Sequence, residues 1–189
     1  MKTLLITAVF LIGMVTATVA NAENIHAKLT GFEEVPVVST VATGEFRATI
    51  SQDERSIEYE LRYSGLQGTV TQAHIHVAQP NVNGVIVIWL CQTATTPSPV
   101  AGTPTCPQSG TVDGTITVAD VVQPATPPPP PQQILAGELA EVIDLIRAGF
   151  AYANVHTNLS PGGEIRGQIE DRDREKIEDK VREKDDKQP

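Results

Sequence analysis

Between residues 23 and 169, apolar and polar positions mostly alternate with the period of two that half-buried β-strands impose. Ile25, Ala27 and Leu29 mark a first strand, and Phe46, Ala48 and Ile50 mark a second within Gly44–Ser51. The cleanest alternation is Ser56–Ser64, where Ile57, Tyr59, Leu61 and Tyr63 point one way and Glu58, Glu60 and Arg62 the other. Joined by the polar Gln52–Arg55, the second and third segments predict a half-solvated antiparallel hairpin. Thr30–Val41 carries Pro36 and predicts an irregular edge or loop. Val70–Ala78 sets Ala73, Ile75 and Val77 on one face and His74 and His76 together on the other. Gly84–Cys91 is apolar on both faces, which predicts a central strand covered on both sides. Thr111–Val118 supplies a further strand, with Gly114 as a candidate bulge.

The period changes once. Leu135, Leu139, Val142, Ile143, Ile146 and Phe150 fall on one face of a helix expected over Leu135–Ala148. Glu138 and Glu141 near its start and Arg147 near its end suit the macrodipole, and Gly149 supplies a stop. Alternation then resumes. Ala151, Ala153 and Val155 share one face, and Tyr152, Asn154 and His156 the other. After Pro161-Gly162-Gly163, Ile165, Gly167 and Ile169 oppose Glu164, Arg166 and Gln168. A tight hairpin here sets His156 beside Glu164 or Arg166, and an ion pair is expected between those two.

The two ends read differently from the middle. Lys2, an apolar run over Leu4–Val15 and Ala20-Asn21-Ala22 make residues 1–22 an expected signal peptide. With it cleaved, no stable membrane span remains, and the protein is expected to be secreted, periplasmic or at the cell surface. Residues 170–189 hold nine acids and seven bases with only Ile177 and Val181 apolar, which predicts a solvated tail, disordered or weakly helical. Pro127–Pro131 forms an extended, internally unbonded run expected to be a stiff connector. The net charge of −9 argues against nucleic acid as a partner and favours solubility. Cys91 and Cys106, isolated in an oxidising compartment, predict one structural disulfide that stabilises the fold by roughly 3 kcal/mol.

Candidate chemistry concentrates on the polar faces. Two residues apart on a strand, His74 and His76 project in parallel and can reach one cation. If their strand neighbours the hairpin, His156 is a third nitrogen donor, with Glu164 as an oxygen ligand or supporting partner and Asn154 and Arg166 close by. Three imidazoles suit copper or zinc. The same rings also suit plain hydrogen bonding to carbonyls, tyrosine or carboxylates, and the residues alone leave both roles open. No phosphate-cradling glycine loop, no G-x-S-x-G elbow and no free-cysteine nucleophile supports an enzyme.

AHIHVAQPNVNGVIVIWLC, AGTPTCPQSGTVDGTIT and AEVIDLIRAGFAYANVHTNLSPGGEIRGQI together resemble the CHRD domain family, named for chordin. The most specific parts are Ala73–His76 and Tyr152–Ile169. The resemblance implies a CHRD-like β domain over residues 23–169, mostly β with one helix before the last hairpin, and no established activity. In animal chordins such domains occur in proteins that bind secreted growth factors. This chain lacks the accompanying cysteine-rich modules, so that ligand does not carry over. The expected fold is an antiparallel β-sandwich or Greek-key-like domain of roughly seven to nine strands. Its expected core is Phe46, Ile50, Ile57, Tyr59, Leu61, Ile75, Val77, Val87, Trp89, Ile116, Val142, Ile146, Val155 and Ile165. Two functions follow. The first is an exported, non-enzymatic binding or structural module for an extracytoplasmic protein or small ligand. The second is a copper or zinc protein using His74, His76 and His156, with redox or dismutase-like chemistry.

Overall fold

The structure, a computed structural model, describes residues 22–123 and 132–171. The expected signal peptide, the proline run and nearly all of the charged tail lie outside the described residues. Among those described, nine strands form one antiparallel sheet in the order β5-β4-β7-β8-β1-β2-β3-β6, with β9 pairing β1. They are β1 (Glu23–Thr30), β2 (Thr43–Ile50), β3 (Ser56–Ser64), β4 (Val70–Val77), β5 (Val85–Cys91), β6 (Gly110–Thr117), β7 (Ala151–Thr157), β8 (Ile165–Gln168) and β9 (Glu170–Asp171). One α-helix, α1 (Leu139–Arg147), precedes the last strands. The sheet is nearly closed, of the β-sandwich kind. Val122 N–H donates to Val87 O at 2.9 Å and Tyr59 Oη donates to Leu90 O at 2.6 Å, drawing the two ends of the ladder together.

The period-two pattern decides most of this. β3 alternates buried and solvent-facing residues along its length and pairs in unbroken register with β2 and with β6. Phe46, Ile50, Ile57, Leu61, Ile75, Val87, Ile116, Val142, Ile146, Val155 and Ile165 all join one continuous core. Cys91 and Cys106 are bonded, 15 residues apart, and tie the Thr- and Pro-rich loop back to β5. Glu170 and Asp171, expected in the tail, continue the sheet by pairing with His26 and Ile25.

Four expectations are corrected. β5 is at one end of the ladder rather than central. On its other edge Ile88 is bridged by Val121, and Val87, Ile88, Leu90 and Cys91 are all buried. Trp89 is only partly buried, lying edge-on to His74 with ring centroids 4.3 Å apart. Gly114 makes no bulge. It pairs directly with Tyr59, and a Cβ there would fall 2.9 Å from the tyrosine ring, so the glycine makes room for that ring. Finally, α1 begins at Leu139 rather than Leu135. Gly137, at φ +86°, has a backbone conformation no α-helix accommodates, and Glu138 serves as N-cap. Leu135 (46% exposed) and Phe150 (41%) therefore leave the buried face, which is Leu139, Val142, Ile143 and Ile146.

α1 clamps the end of the sheet where β9 and β1 meet. Arg147, in its last turn, holds Glu23 and Glu54 at 2.8 Å each.

Candidate metal centre

Alternation puts His74 and His76 on one face of β4, and Tyr152, Asn154 and His156 on one face of β7. Because β4 and β7 are neighbours, His74 pairs with Asn154, His76 with Tyr152 and Gln72 with His156. Asn154 in turn pairs with Arg166 of β8. The sequence marks this as the polar side of the sheet, yet it is buried. His74, His76, Asn154, His156, Glu164 and Arg166 are each at most 6% exposed. The segment between β1 and β2 packs against part of it: Thr40 bonds Glu164, and Glu34 is buried beside Gly163 within reach of the Arg166 charge.

The three imidazoles converge. One ligand atom from each of His74, His76 and His156 lies within 4.8 Å of the others. Burial holds all three pKa values below the ordinary 6.5. His76 falls to about 3 through burial and then the neighbouring His156; His74 is pushed well down by burial, His156 and His76. The rings are therefore neutral, and their partners fix the tautomers. His76 Nδ1–H donates to Gly84 O at 3.1 Å, and His156 Nδ1–H donates to Pro161 O at 2.9 Å. A carbonyl only accepts, so both Nε2 atoms are unprotonated acceptors. His74 Nδ1–H then donates to His156 Nε2 at 3.1 Å.

What remains is out of balance. The Nε2 atom of His74 is buried with no hydrogen-bond partner, and that of His76 has only the Asn154 side chain close by, without a hydrogen bond of good geometry. Orphaned buried acceptors of this kind are rare and costly unless an ion or water meets them. Two nitrogens on one tetrahedral ion at about 2.1 Å are about 3.4 Å apart, so the widest pair must close by about 1.4 Å to share an ion. The anchoring of two rings through Nδ1 to main-chain carbonyls is the support metal-bound histidines usually have. The donor set, three neutral imidazoles without thiolate, fits copper or zinc.

The remaining expected partners separate from this cluster. Glu164 does not reach the imidazoles. Its N–H bonds Val155 O, so it sits at the turn rather than across from His156. Its carboxylate accepts from Thr40 Oγ1 (2.9 Å), Gln67 N (2.7 Å), Gly68 N (3.2 Å) and Thr157 Oγ1 (2.8 Å), and those donors lower its pKa against the opposing effect of burial. The expected ion pair with Arg166 does not form, because Glu164 is committed to these four donors. Arg166 instead lies 3.4 Å over the Tyr152 ring. His76 stacks on the same ring at 4.8 Å and 6°. The strand order β4-β7-β8 places the imidazole and the guanidinium on opposite sides of Tyr152.

Three participants escaped the sequence reading. Tyr152 shares the alternation of Asn154 and His156, so its place was legible though its role was not. Trp89 was read as core. Glu34 sits in an irregular segment where nothing local marks it as buried. Burial pushes its pKa up to about 7 against the pull of Arg166. Gly163, at φ +130°, admits it: a Cβ there would collide with Glu34 Oε1 and come within 2.8 Å of Asn154 Nδ2.

The family model described as CHRD domain matches residues 25–169. The chain belongs to the CHRD domain family. No curated protein and no solved structure matches it significantly. Membership covers β1 to the end of β8, and so takes in every residue of the histidine cluster. CHRD membership supports a binding or structural module rather than an enzyme. The Cys91–Cys106 bond is compatible with an extracellular setting. Among the described residues, no helix is long and apolar enough to cross a membrane.

Proposed function

We propose that this CHRD domain is an exported, non-enzymatic binding module whose binding centre takes one copper or zinc ion on His74, His76 and His156. The observation that carries this reading is the pair of bare, buried Nε2 atoms on His74 and His76, next to a third neutral imidazole. On the same face the Glu164 carboxylate accepts four hydrogen bonds, whereas these two nitrogens, like Glu34 Oε1, Asn154 Oδ1 and Arg166 Nη2, are left without one. The bound ion would supply affinity and stability, and His76 and His156 would be held for it by Gly84 and Pro161. The test is metal content of untagged protein recovered from the extracytoplasmic fraction, compared with a His74→Ala/His76→Ala variant. Copper or zinc near one ion per chain in the first and near none in the second supports the reading. Equal content in both ends it.

A second reading rests on the outer side of the segment that covers the site. Phe32 (78% exposed), Val37 and Val41 all face solvent there. Exposed apolar residues grouped on one segment favour an extracytoplasmic protein partner. Loss of binding to that partner in a Phe32→Ser/Val41→Ser variant, with metal content unchanged, would support it.

A further inference from the structure

The strand register gathers four loops at one end of the sheet. Thr30 pairs with Thr43 and Arg166, Thr43 with Ser64, Tyr63 with Gly110, Val70 with Thr157 and Ala73 with Cys91. Segments 31–42, 65–69, 92–109 and 158–164 therefore leave the strands on the same side. Hydrogen bonds knit them together. Thr40 Oγ1 and Gln67 N–H both donate to the Glu164 carboxylate, Thr69 N–H donates to Asn158 Oδ1 at 2.7 Å, and Gln108 Nε2 donates to Gly68 O at 2.8 Å. The four loops form one fixed surface.

Two properties set this surface apart. Phe32, Val37, Val41 and Leu159 are the four most exposed large hydrophobic residues among those described, from 63% (Val37) to 81% (Val41). The same loops carry almost no charge. Segments 65–69 and 92–109 hold no acid or base, Glu34 and Glu164 are buried, and Glu33 is the one exposed charged residue in all four. The opposite end is acidic, with Asp53 and Glu54 before β3 and Glu138, Glu141 and Asp144 around α1, against Arg55 and Arg147.

We infer that a second copy of this chain docks on the uncharged end, in a two-fold dimer that covers Phe32, Val37, Val41 and Leu159 of both copies. This names the partner for the exposed apolar residues of the segment between β1 and β2, and it rests on that reading. The charge distribution selects the second copy. Chains of net charge −9 repel one another, so close approach favours the face where charge is absent. A basic partner would be steered to the acidic end instead. A two-fold axis through the uncharged end turns both acidic ends outward. Two eight-residue strands end to end hold them roughly 50 Å apart, several screening lengths at physiological salt. In such an isologous contact the same apolar patch serves both copies.

The test is the mass in solution, by analytical ultracentrifugation, of untagged protein with its charged tail intact, from about 1 to about 200 µM. A monomer–dimer equilibrium is expected, and it should hold or tighten as salt rises, because screening weakens the repulsion between the acidic chains. Phe32→Ser/Val41→Ser and Leu159→Ser should each weaken the dimer about tenfold or more. Val118→Ser/Leu135→Ser, which changes exposed apolar residues away from these loops, should leave it unchanged. All of these side chains face solvent, and urea unfolding checks that each variant is folded. Protein that stays monomeric throughout, a dimer that dissociates as salt rises, or a dimer indifferent to the Phe32, Val41 and Leu159 changes overturns the inference. A monomer that loses a different extracytoplasmic protein on Phe32→Ser/Val41→Ser overturns the second copy and keeps the partner reading. A monomer that instead sediments with phosphatidylcholine vesicles overturns both.

Discussion

Burying three neutral histidines and one carboxyl that titrates near neutrality makes the stability of the metal-free protein depend on pH in a way the structure fixes. A histidine whose pKa is depressed in the fold stays neutral there but charges in the unfolded chain as pH falls below 6.5. Stability is then lost on acidification. Between about pH 7.5 and about pH 5.5 each such histidine costs on the order of 1 kcal/mol. His74 and His76 together give about 3 kcal/mol, and His156, lowered by the same burial, adds to that loss. Glu34 has the opposite sign. Its carboxyl titrates at about 7 in the fold against 4.5 unfolded, so acidification through that window favours the fold. Over the same interval it returns about 2 kcal/mol. The net expectation is a loss of about 1–2 kcal/mol, measured by urea unfolding of metal-free, disulfide-intact protein at the two pH values. In Glu34→Gln the offset disappears and the loss grows to about 3–4 kcal/mol. In His74→Gln/His76→Gln the loss disappears. A wild-type protein whose stability is flat or rises on acidification, or a double variant that retains the full loss, would refute the buried neutral cluster.

Two further predictions concern what holds the site in place. Glu164→Ala removes the acceptor for Thr40, Gln67, Gly68 and Thr157, and a loss of about 3–5 kcal/mol is expected in the same unfolding assay. Gly114→Ala puts a Cβ against the Tyr59 ring; about 1–3 kcal/mol of stability should be lost while metal content is unchanged.

Local pattern carried the strands because alternation is a local property. Ile57 to Tyr63 could be sorted without knowing their partners, and so could His74 and His76. Tyr152, Asn154 and His156 could be placed on one face in the same way. Their meeting depends on β4 pairing with β7, a contact across some 80 residues that no local period encodes. Burial of the polar face was likewise hidden. Alternation distinguishes two faces, but not whether a loop later covers the polar one, and so Glu34 went unnoticed within TGFEEVPVV. The same limit explains β5, where an apolar run shows that both faces are covered but not by what. At the helix start the period ran smoothly from Leu135, and only Gly137 marked the break. Glu164 was misplaced for a geometric reason: it lies in the turn before β8, so its side chain follows the turn rather than the strand's alternation.

A metal centre requires that the nitrogens of His74 and His76 hold an ion in the protein as it is made. Metal analysis of untagged protein purified without chelator from the extracytoplasmic fraction measures this most directly. The account predicts about one copper or zinc ion per chain, lost in His74→Ala/His76→Ala and in His156→Ala while the disulfide and the fold persist. Metal-free wild-type protein that also takes up neither ion on dialysis, or variants that retain the full complement, would contradict it.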